Sequence, residues 1–313
     1  MKKLNAAVIG CGVWGRNHAR VYRELPDVEL KAVADANPKT SEEIGYLYQA
    51  KSYTDPFELI KDPEIKLVSV CTPTITHAEI ALAAIGQGKH VLVEKPMTNT
   101  VKEAQTLIAA AEKNRVLLTV GFVERFNPAV QEAIKRVADG EIGDIILAHT
   151  RRVSRSPGRI GDVGVIKDLA IHDIDIVNHL FKGDPESVYA IAGRIAHRYE
   201  DYANINIRYK GDRTAFVETN WLTPRRKRTL TITGTEGIIN IEYTTQEISI
   251  ETHQQVTQPI LPYQEPLYLE LKNFVDSVIN DTPPQVTGED GLKALRICEA
   301  ALSSAKIGRR VEL

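Results

Sequence analysis

The run A-A-V-I-G-C-G-V-W-G-R-N-H from Ala6 to His18 decides the fold. It opens on a short apolar stretch of the kind that sits inside a parallel sheet. Gly10, Gly12 and Gly15 then give G-x-G-x-x-G, and a helix follows. Gly10 permits a tight turn, Gly12 lets a pyrophosphate approach the backbone without meeting a Cβ, and Gly15 lets the helix lie close on the strand. The first helical turn offers the N–H groups of Val13 and Trp14 to that phosphate, and the helix dipole favours its charge. Three glycines in six residues also occur in ordinary turns, so the motif needs its context.

The context is a second strand at 30–34 that ends on Asp35, about 20 residues beyond Gly15. An acid there accepts hydrogen bonds from the adenosine ribose hydroxyls and repels a 2′-phosphate, which points to NAD rather than NADP. Asn37 and Lys39 follow closely and leave room for some tolerance of NADP. Strand and helix then alternate: helices at 41–49 and 55–61, a buried strand at 67–71 ending in Thr72-Pro73, a helix at 77–86, and a strand at 90–93 ending in Glu94-Lys95-Pro96. A helix at 101–114 and a strand at 115–121 complete a doubly wound half of about 120 residues. The expected class is α/β, with a Rossmann dinucleotide-binding domain over residues 1–122.

Residues 123–313 read as an α+β substrate-binding and oligomerisation domain. A helix at 128–139 and a strand at 144–152 come first, then a loop at 154–165 rich in Gly, Arg and Ser, then a helix at 166–181. Strands follow at 187–196, 202–209, 213–221, 228–234, 237–243 and 247–252, joined by turns such as Lys210-Gly211-Asp212. Successive strands with short turns imply a broad, mainly antiparallel sheet. Helices at 265–280 and 288–307 close the chain. The alternating apolar positions Ile205, Ile207 and Tyr209 invite burial against another subunit, so a homodimer or homotetramer through this sheet is expected.

With 313 residues, 43% hydrophobic content and a net charge of −2, the chain is expected to build two cores. It carries no basic field for nucleic acid and no attraction to a membrane. The basic run at 225–228 reads as a solvated turn. No apolar run of about 18 residues and no leader pattern is present, and the expected compartment is cytoplasmic. Cys11, Cys71 and Cys298 lack C-x-x-C spacing, so reduced thiols are expected and no metal site.

Two constellations carry chemistry. Lys95 closes a Rossmann strand at the carboxyl edge where ligands bind, in reach of a substrate hydroxyl; a solvated strand-end lysine is the alternative. The second is K-D-L-A-I-H-D-I-D-I-V-N-H-L from Lys167 to Leu180. At about 100° per residue Asp168, His172, Asp175 and His179 fall in one stripe, while the rest of the helix is apolar. Asp168 and His172, four apart, suit proton transfer, the carboxylate orienting the imidazole. Ion-paired packing and a metal site of two His and two Asp compete for the same stripe. Asp173 falls on the apolar side and needs a partner or a local distortion.

The chain resembles the Gfo/Idh/MocA oxidoreductases over nearly its whole length. The resemblance rests on the glycine loop with His18, on Thr72-Pro73 with His77, and on Gly88-Lys89-His90-Val91 running to Glu94-Lys95-Pro96. Arg125-Phe126-Asn127-Pro128 and the pair Asp168 and His172 complete it. The family pattern has paired glycines before the Asp and a glycine two residues before the His, where this chain has Gly164, Val165 and Ala170.

The resemblance implies that His172 takes a proton from a sugar or polyol hydroxyl, that Lys95 hydrogen-bonds the same oxygen, and that Asp168 positions substrate and imidazole. Thr72, Pro73, His77, Glu94 and Lys95 would line the NAD cleft beside Gly10, Gly12, Val13, Trp14, Gly15 and Asp35. Pro96 resembles the family's cis proline. Arginine forks suit diphosphate. Arg151, Arg152, Arg155 and Arg159, with Arg125 and Asn127, therefore look like the substrate side of the branch that oxidises UDP-N-acetylglucosamine or its uronic acid at C3. A free polyol or hexose dehydrogenase remains open, as does a non-catalytic NAD-binding regulator. The regulator would not need Lys95, Asp168 and His172 together. A metal-dependent lyase or hydrolase would use the helix stripe alone.

Overall fold

The computed structural model describes residues 3–156, 158 and 162–313. In chain order it begins β1 (Leu4–Ile9), α1 (Val13–Glu24), β2 (Val28–Ala34), α2 (Pro38–Tyr48), β3 (Lys51–Tyr53), α3 (Pro56–Ile60), β4 (Leu67–Val70), α4 (Thr74–Gly86), β5 (His90–Glu94), α5 (Val101–Asn114) and β6 (Leu118–Gly121). A 3₁₀ turn, Val123–Phe126, leads to α6 (Pro128–Ala138) and β7 (Ile145–Arg155). A π-helical turn, Ile166–Ala170, runs straight into α7 (Ile171–Phe181). Then come β8 (Pro185–Gly193), β9 (Tyr202–Tyr209), β10 (Thr214–Asn220), β11 (Leu222–Gly234), β12 (Gly237–Glu242), β13 (Glu247–Thr252) and β14 (Val256–Thr257). The chain ends with α8 (Pro266–Asn280), α9 (Gly288–Ile307) and β15 (Val311–Glu312).

Asn and Asp before Pro set several helix starts. Asn37, Asp55 and Asn127 each accept a backbone N–H from two residues on, and Pro38, Pro56 and Pro128 supply the fixed φ of the first turn. This starts α2 three residues before the position expected from apolar spacing. Pro73 likewise stands at the N-cap of α4 and moves its start back to Thr74. A capping box of Thr100 and Glu103 opens α5.

Two compact units form: Met1–Phe122 with Leu267–Leu292, and Val123–Pro266 with Lys293–Leu313. The expectation of one cut at residue 122 misses the return of 267–292 to the first unit. Thr119 Oγ1 donates to the Val286 carbonyl at 2.7 Å. In α9 a Cβ at Gly291 would stand 2.7 Å from Val120 Cγ2, so glycine lets this helix lie directly on β6.

The first unit is a six-stranded sheet in the order β3-β2-β1-β4-β5-β6, parallel throughout. Its central strands are continuous apolar runs, Ala6 to Ile9 and Val91 to Val93, buried on both faces as parallel sheets require. The order reverses between β1 and β4, and ligands bind outside the carboxyl ends at such a switch point.

The second unit is a nine-stranded sheet in the order β14-β13-β12-β11-β7-β10-β9-β8-β15, antiparallel except for β7 and β10. β9 alternates strictly, with Ala203, Ile205, Ile207 and Tyr209 buried and Asn204 and Arg208 exposed. Tyr209 stacks on Phe181 of α7 at 4.5 Å. Ile205, Ile207 and Tyr209 are therefore buried by this chain itself, which corrects the expectation that a second subunit covers them. The opposite face carries the cross-strand row Tyr189, Asn206, Phe216 and His149. Among the described residues no helix is long and apolar enough to cross a membrane.

Candidate active site

In the first unit the fold itself requires two of the three glycines of the loop. Gly10 has φ +90°, and a Cβ there would lie 2.7 Å from backbone atoms of Cys71 and Thr72. At Gly15 a Cβ would fall 1.6 Å from the Gly10 carbonyl oxygen. At Gly12 it would meet nothing within 4 Å, so the protein's own packing does not demand glycine there. α1 has no side-chain cap and no acid in its first turn. That leaves the first-turn amides without a side-chain cap, the arrangement an incoming phosphate needs. Asp35 Oδ2 accepts the Cys11 N–H at 2.8 Å and Oδ1 the Asn37 N–H at 2.9 Å. Each oxygen keeps a lone pair for a ribose hydroxyl. The loop fits a dinucleotide.

At the carboxyl ends of β4 and β5, buried His77 ties two segments together. Its Nε2 lies 2.8 Å from the Thr72 carbonyl oxygen and its Nδ1 2.9 Å from that of Pro96. The Lys95-Pro96 peptide is cis. Glu94 Oε1 meets His18 Nε2 at 3.1 Å, and its Oε2 accepts the Lys95 N–H at 3.2 Å. The Glu94 carboxyl rests on Gly121, where a Cβ would approach it to 3.0 Å. Glu94 thus has three fixed neighbours, and Lys95 follows it at the strand end, half-buried. Burial, then the Asp35 carboxylate, pushes the Cys11 thiol up to about 12, and burial also raises Cys71 and Cys298. All three are thiols at neutral pH.

In the second unit Asp168 lies in the π-helical turn and His172 in the first turn of α7, 6% and 7% exposed. The helix expected at 166–181 is therefore α only from Ile171. Glu200 supplies what the start of the turn lacks, since its carbonyl accepts from Val165 N at 2.9 Å and its Oε1 from Ile166 N at 3.2 Å. Gly164 is needed because a Cβ there would sit 2.1 Å from the Glu200 carboxyl. Burial raises the Glu200 carboxyl above its ordinary value.

Asp173 has the partner its position demands. Arg152 Nε and Nη2 reach its two oxygens at 2.9 Å each, Arg152 Nη1 reaches Glu124 Oε1 at 2.7 Å, and the guanidinium lies 4.9 Å from the Tyr243 ring. Arg228 Nη1 also reaches Glu124 Oε1, at 3.1 Å. Burial pushes the Glu124 carboxyl up, but Arg152 and Arg228 more than offset this and hold it below its ordinary value. Burial and then Arg152 lower Arg228, while burial and then Asp173 raise Tyr243. Arg125 grips Asp175 with Nε at 2.7 Å and Nη2 at 2.8 Å, and its Nη1 meets His179 Nδ1 at 2.8 Å. A guanidinium between Asp175 and His179 opposes a metal site built on all four residues of the stripe.

These contacts bear on the diphosphate reading for three of the arginines. The forks of Arg125 and Arg152 are closed by buried carboxylates, and Arg151 pairs with Glu218 at the surface. Asn127 is the cap of α6, and its Nδ2 donates to the Tyr243 carbonyl. Arg155 ends β7 and is exposed. Arg159 lies outside the described residues. Glu124, Glu200 and Tyr243 are single residues without a spacing signal and are not legible in the sequence, whereas Arg228, expected in a solvated turn at 225–228, stands half-buried on β11 and reaches Glu124. Lys95 belongs to the first unit, Asp168 and His172 to the second.

A family model described as oxidoreductase family, NAD-binding Rossmann fold matches residues 4–122, and one for the Gfo/Idh/MocA C-terminal domain matches 130–240. The scyllo-inositol 2-dehydrogenase (NAD(+)) of Bacillus subtilis (strain 168) is 30% identical, covering 99% of this chain and 96% of that protein. The chain belongs to the Gfo/Idh/MocA oxidoreductase family. The UDP-N-acetylglucosamine 3-dehydrogenase of Acidithiobacillus ferrooxidans (strain ATCC 23270 / DSM 14882 / CIP 104768 / NCIMB 8455) is 25% identical, covering 96% of each chain. Levoglucosan dehydrogenase in complex with NADH and levoglucosan shares the fold, with a TM-score of 0.93 at 24% identity over 100% of this chain and 99% of that one. As a Gfo/Idh/MocA protein the chain is an NAD-dependent oxidoreductase, and the open side of Gly12 with the two held oxygens of Asp35 is where its residues suit that cofactor.

Proposed function

We propose that this protein oxidises a secondary ring hydroxyl of an uncharged polyol or sugar, with an inositol as the leading candidate. The observation that carries the uncharged substrate is the closure of the Arg125 and Arg152 forks by Asp175 and Asp173. A guanidinium spent on a buried carboxylate offers no fork to a diphosphate. The full-length likeness to scyllo-inositol 2-dehydrogenase supports the same reading.

In this mechanism His172 takes the hydroxyl proton at an imidazole nitrogen, and Asp168 positions substrate and ring. Lys95 donates a hydrogen bond to the same oxygen and stabilises the charge that grows there as the proton leaves. When bound, NAD supplies the acceptor for the hydride that leaves the carbinol carbon, so the product is a ketone. Glu94 and His77 hold the strand ends around Lys95, and Gly10, Gly12, Val13, Trp14, Gly15, Asp35, Thr72 and Pro73 hold the cofactor.

A UDP-linked N-acetylhexosamine is the second reading. It is favoured by exposed Arg155 and by the UDP-N-acetylglucosamine 3-dehydrogenase relative. We also propose a homodimer or homotetramer through the outer face of the nine-stranded sheet, where Tyr189, Ile191 and Phe216 are exposed; light scattering during gel filtration tests this. The substrate is tested by NADH formation from NAD with scyllo-inositol, myo-inositol, glucose and UDP-N-acetylglucosamine side by side. A keto-acid acceptor is run in parallel to reoxidise retained NADH. Turnover on the free polyols or glucose supports the first reading, and turnover confined to the UDP-sugar replaces it with the second.

A further inference from the structure

We propose that Arg152 is a positioning residue for the proton transfer: by gripping Asp173 it fixes the rotation of α7 and with it the aim of His172, the residue immediately before. The inference rests on the assignment of His172 as the base.

It starts from two adjacent arginines on a strand. The two-residue period of β7 sends Arg151 outward to half-buried Glu218 and Arg152 inward, where it is 2% exposed. A buried guanidinium needs partners for its donors, and it finds them on two other elements, Asp173 of α7 and Glu124 of the 3₁₀ turn. Buried ion pairs of this kind are often replaced by apolar residues of similar volume without loss. What the fork adds is direction. Ile171, Ile174, Ile176 and Val177 hold α7 in the core, but apolar contact is non-directional. Two parallel N–H···O bonds to one carboxylate admit a single helix rotation.

The π-helical turn makes that rotation matter. Ile166–Ala170 carries a wider turn than the α-helix that follows, so the register of every residue after it depends on where the π-turn stops. Asp173 is the third residue of α7, and its fork defines that point. The neighbouring pair repeats the device, since Glu124 and Arg125, adjacent on one turn, serve the clasps on Asp173 and Asp175.

The decisive variant is R152M/D173L, which replaces the ion pair with apolar side chains of similar size. It is expected to fold with a lowered thermal midpoint, because Glu124 keeps only Arg228 as a charged partner, and its NADH affinity is expected to stay within about threefold. Turnover of scyllo-inositol is expected to fall about 100-fold, in kcat more than in KM, as a small misplacement of a reacting group does. In protein labelled with ¹³C-histidine, the His172 Cε1 resonance, assigned with His172→Gln, is expected to change from one sharp line to a broad or multiple signal. Arg152→Lys keeps the charge without the fork; it shows the same loss in smaller degree and carries the test if the double variant does not fold. Lys272→Met, which removes an exposed ion pair with Asp276 on α8 of the other unit, is the unaffected control. A folded R152M/D173L or Arg152→Lys protein with an unchanged His172 line and kcat within threefold of the parent overturns the proposal. If His172→Ala leaves turnover unchanged, the base assignment fails, whereas the resonance still reports whether Arg152 orders the ring.

Discussion

Asp173 and Arg152 are joined by two hydrogen bonds of 2.9 Å, one from each side of the guanidinium fork, in a site where both side chains are almost wholly enclosed. The carboxylate follows His172 in the chain and the arginine stands on the strand beneath it. Position in the sequence and position in the fold therefore converge on the proposed base.

Glu124 shares this network and gives it a pH dependence. Its carboxyl is held below the ordinary value of 4.5 by Arg152 and Arg228 against the effect of burial. A depressed folded value means that the stabilisation is present above the ordinary value and is lost as pH falls through the folded one. Glu124→Gln is expected to lower stability by about 3 kcal/mol at neutral pH, since it leaves buried arginines undercompensated. Thermal melts of both proteins should converge as the pH drops below about 4. A gap that stays constant to pH 3 would show that Glu124 does not carry this charge.

Gly12 separates cofactor binding from folding. Because a Cβ there meets no protein atom within 4 Å, Gly12→Ala should leave the unfolding free energy of the cofactor-free protein within about 0.5 kcal/mol of the parent. The added methyl stands where the pyrophosphate approaches, so NADH affinity, read by fluorescence titration, should fall about tenfold or more. Undiminished NADH binding would contradict the placement. Gly10→Ala is the opposite case, destabilising the protein itself, because φ of +90° and backbone 2.7 Å away both exclude a side chain.

Asp35 sets the choice of dinucleotide. Asp35→Asn removes the negative charge while leaving an oxygen for the Cys11 or Asn37 amide. The ratio of NADPH to NADH affinity should rise about tenfold as repulsion of the 2′-phosphate disappears. An unchanged ratio would assign Asp35 to the loop alone, through its hold on Cys11 and Asn37.

Much of this architecture is legible in the chain because its signals are local. G-x-G-x-x-G, the acid after the second strand, and buried runs ending in Thr72-Pro73 and Glu94-Lys95-Pro96 specify a parallel sheet and its ligand edge without long-range information. The Asp168 and His172 spacing marks a helical stretch, but the π-helical turn that holds Asp168 means α spacing does not set the angle between them. Which arginines are engaged by the fold is not legible, because composition cannot tell a guanidinium facing solvent from one facing the core. Arg151 and Arg152 are identical in sequence, and only the register of β7 decides which is buried. The π-helical turn was illegible for a related reason, as its anchor Glu200 lies 34 positions from Ile166. Ile205, Ile207 and Tyr209 share one apolar face as the alternation implies, but that pattern could not say that the chain buries all three itself, with Phe181 of α7 stacked on Tyr209.

The central claim is tested most directly by His172→Ala, measuring NADH formation with the best substrate of the panel alongside NADH affinity. Turnover should fall by about 1,000-fold, within the range that a general base contributes, while NADH affinity stays within about threefold of the parent. Turnover within threefold of the parent would remove His172 from the reaction and return the Asp168 and His172 pair to the packing of α7.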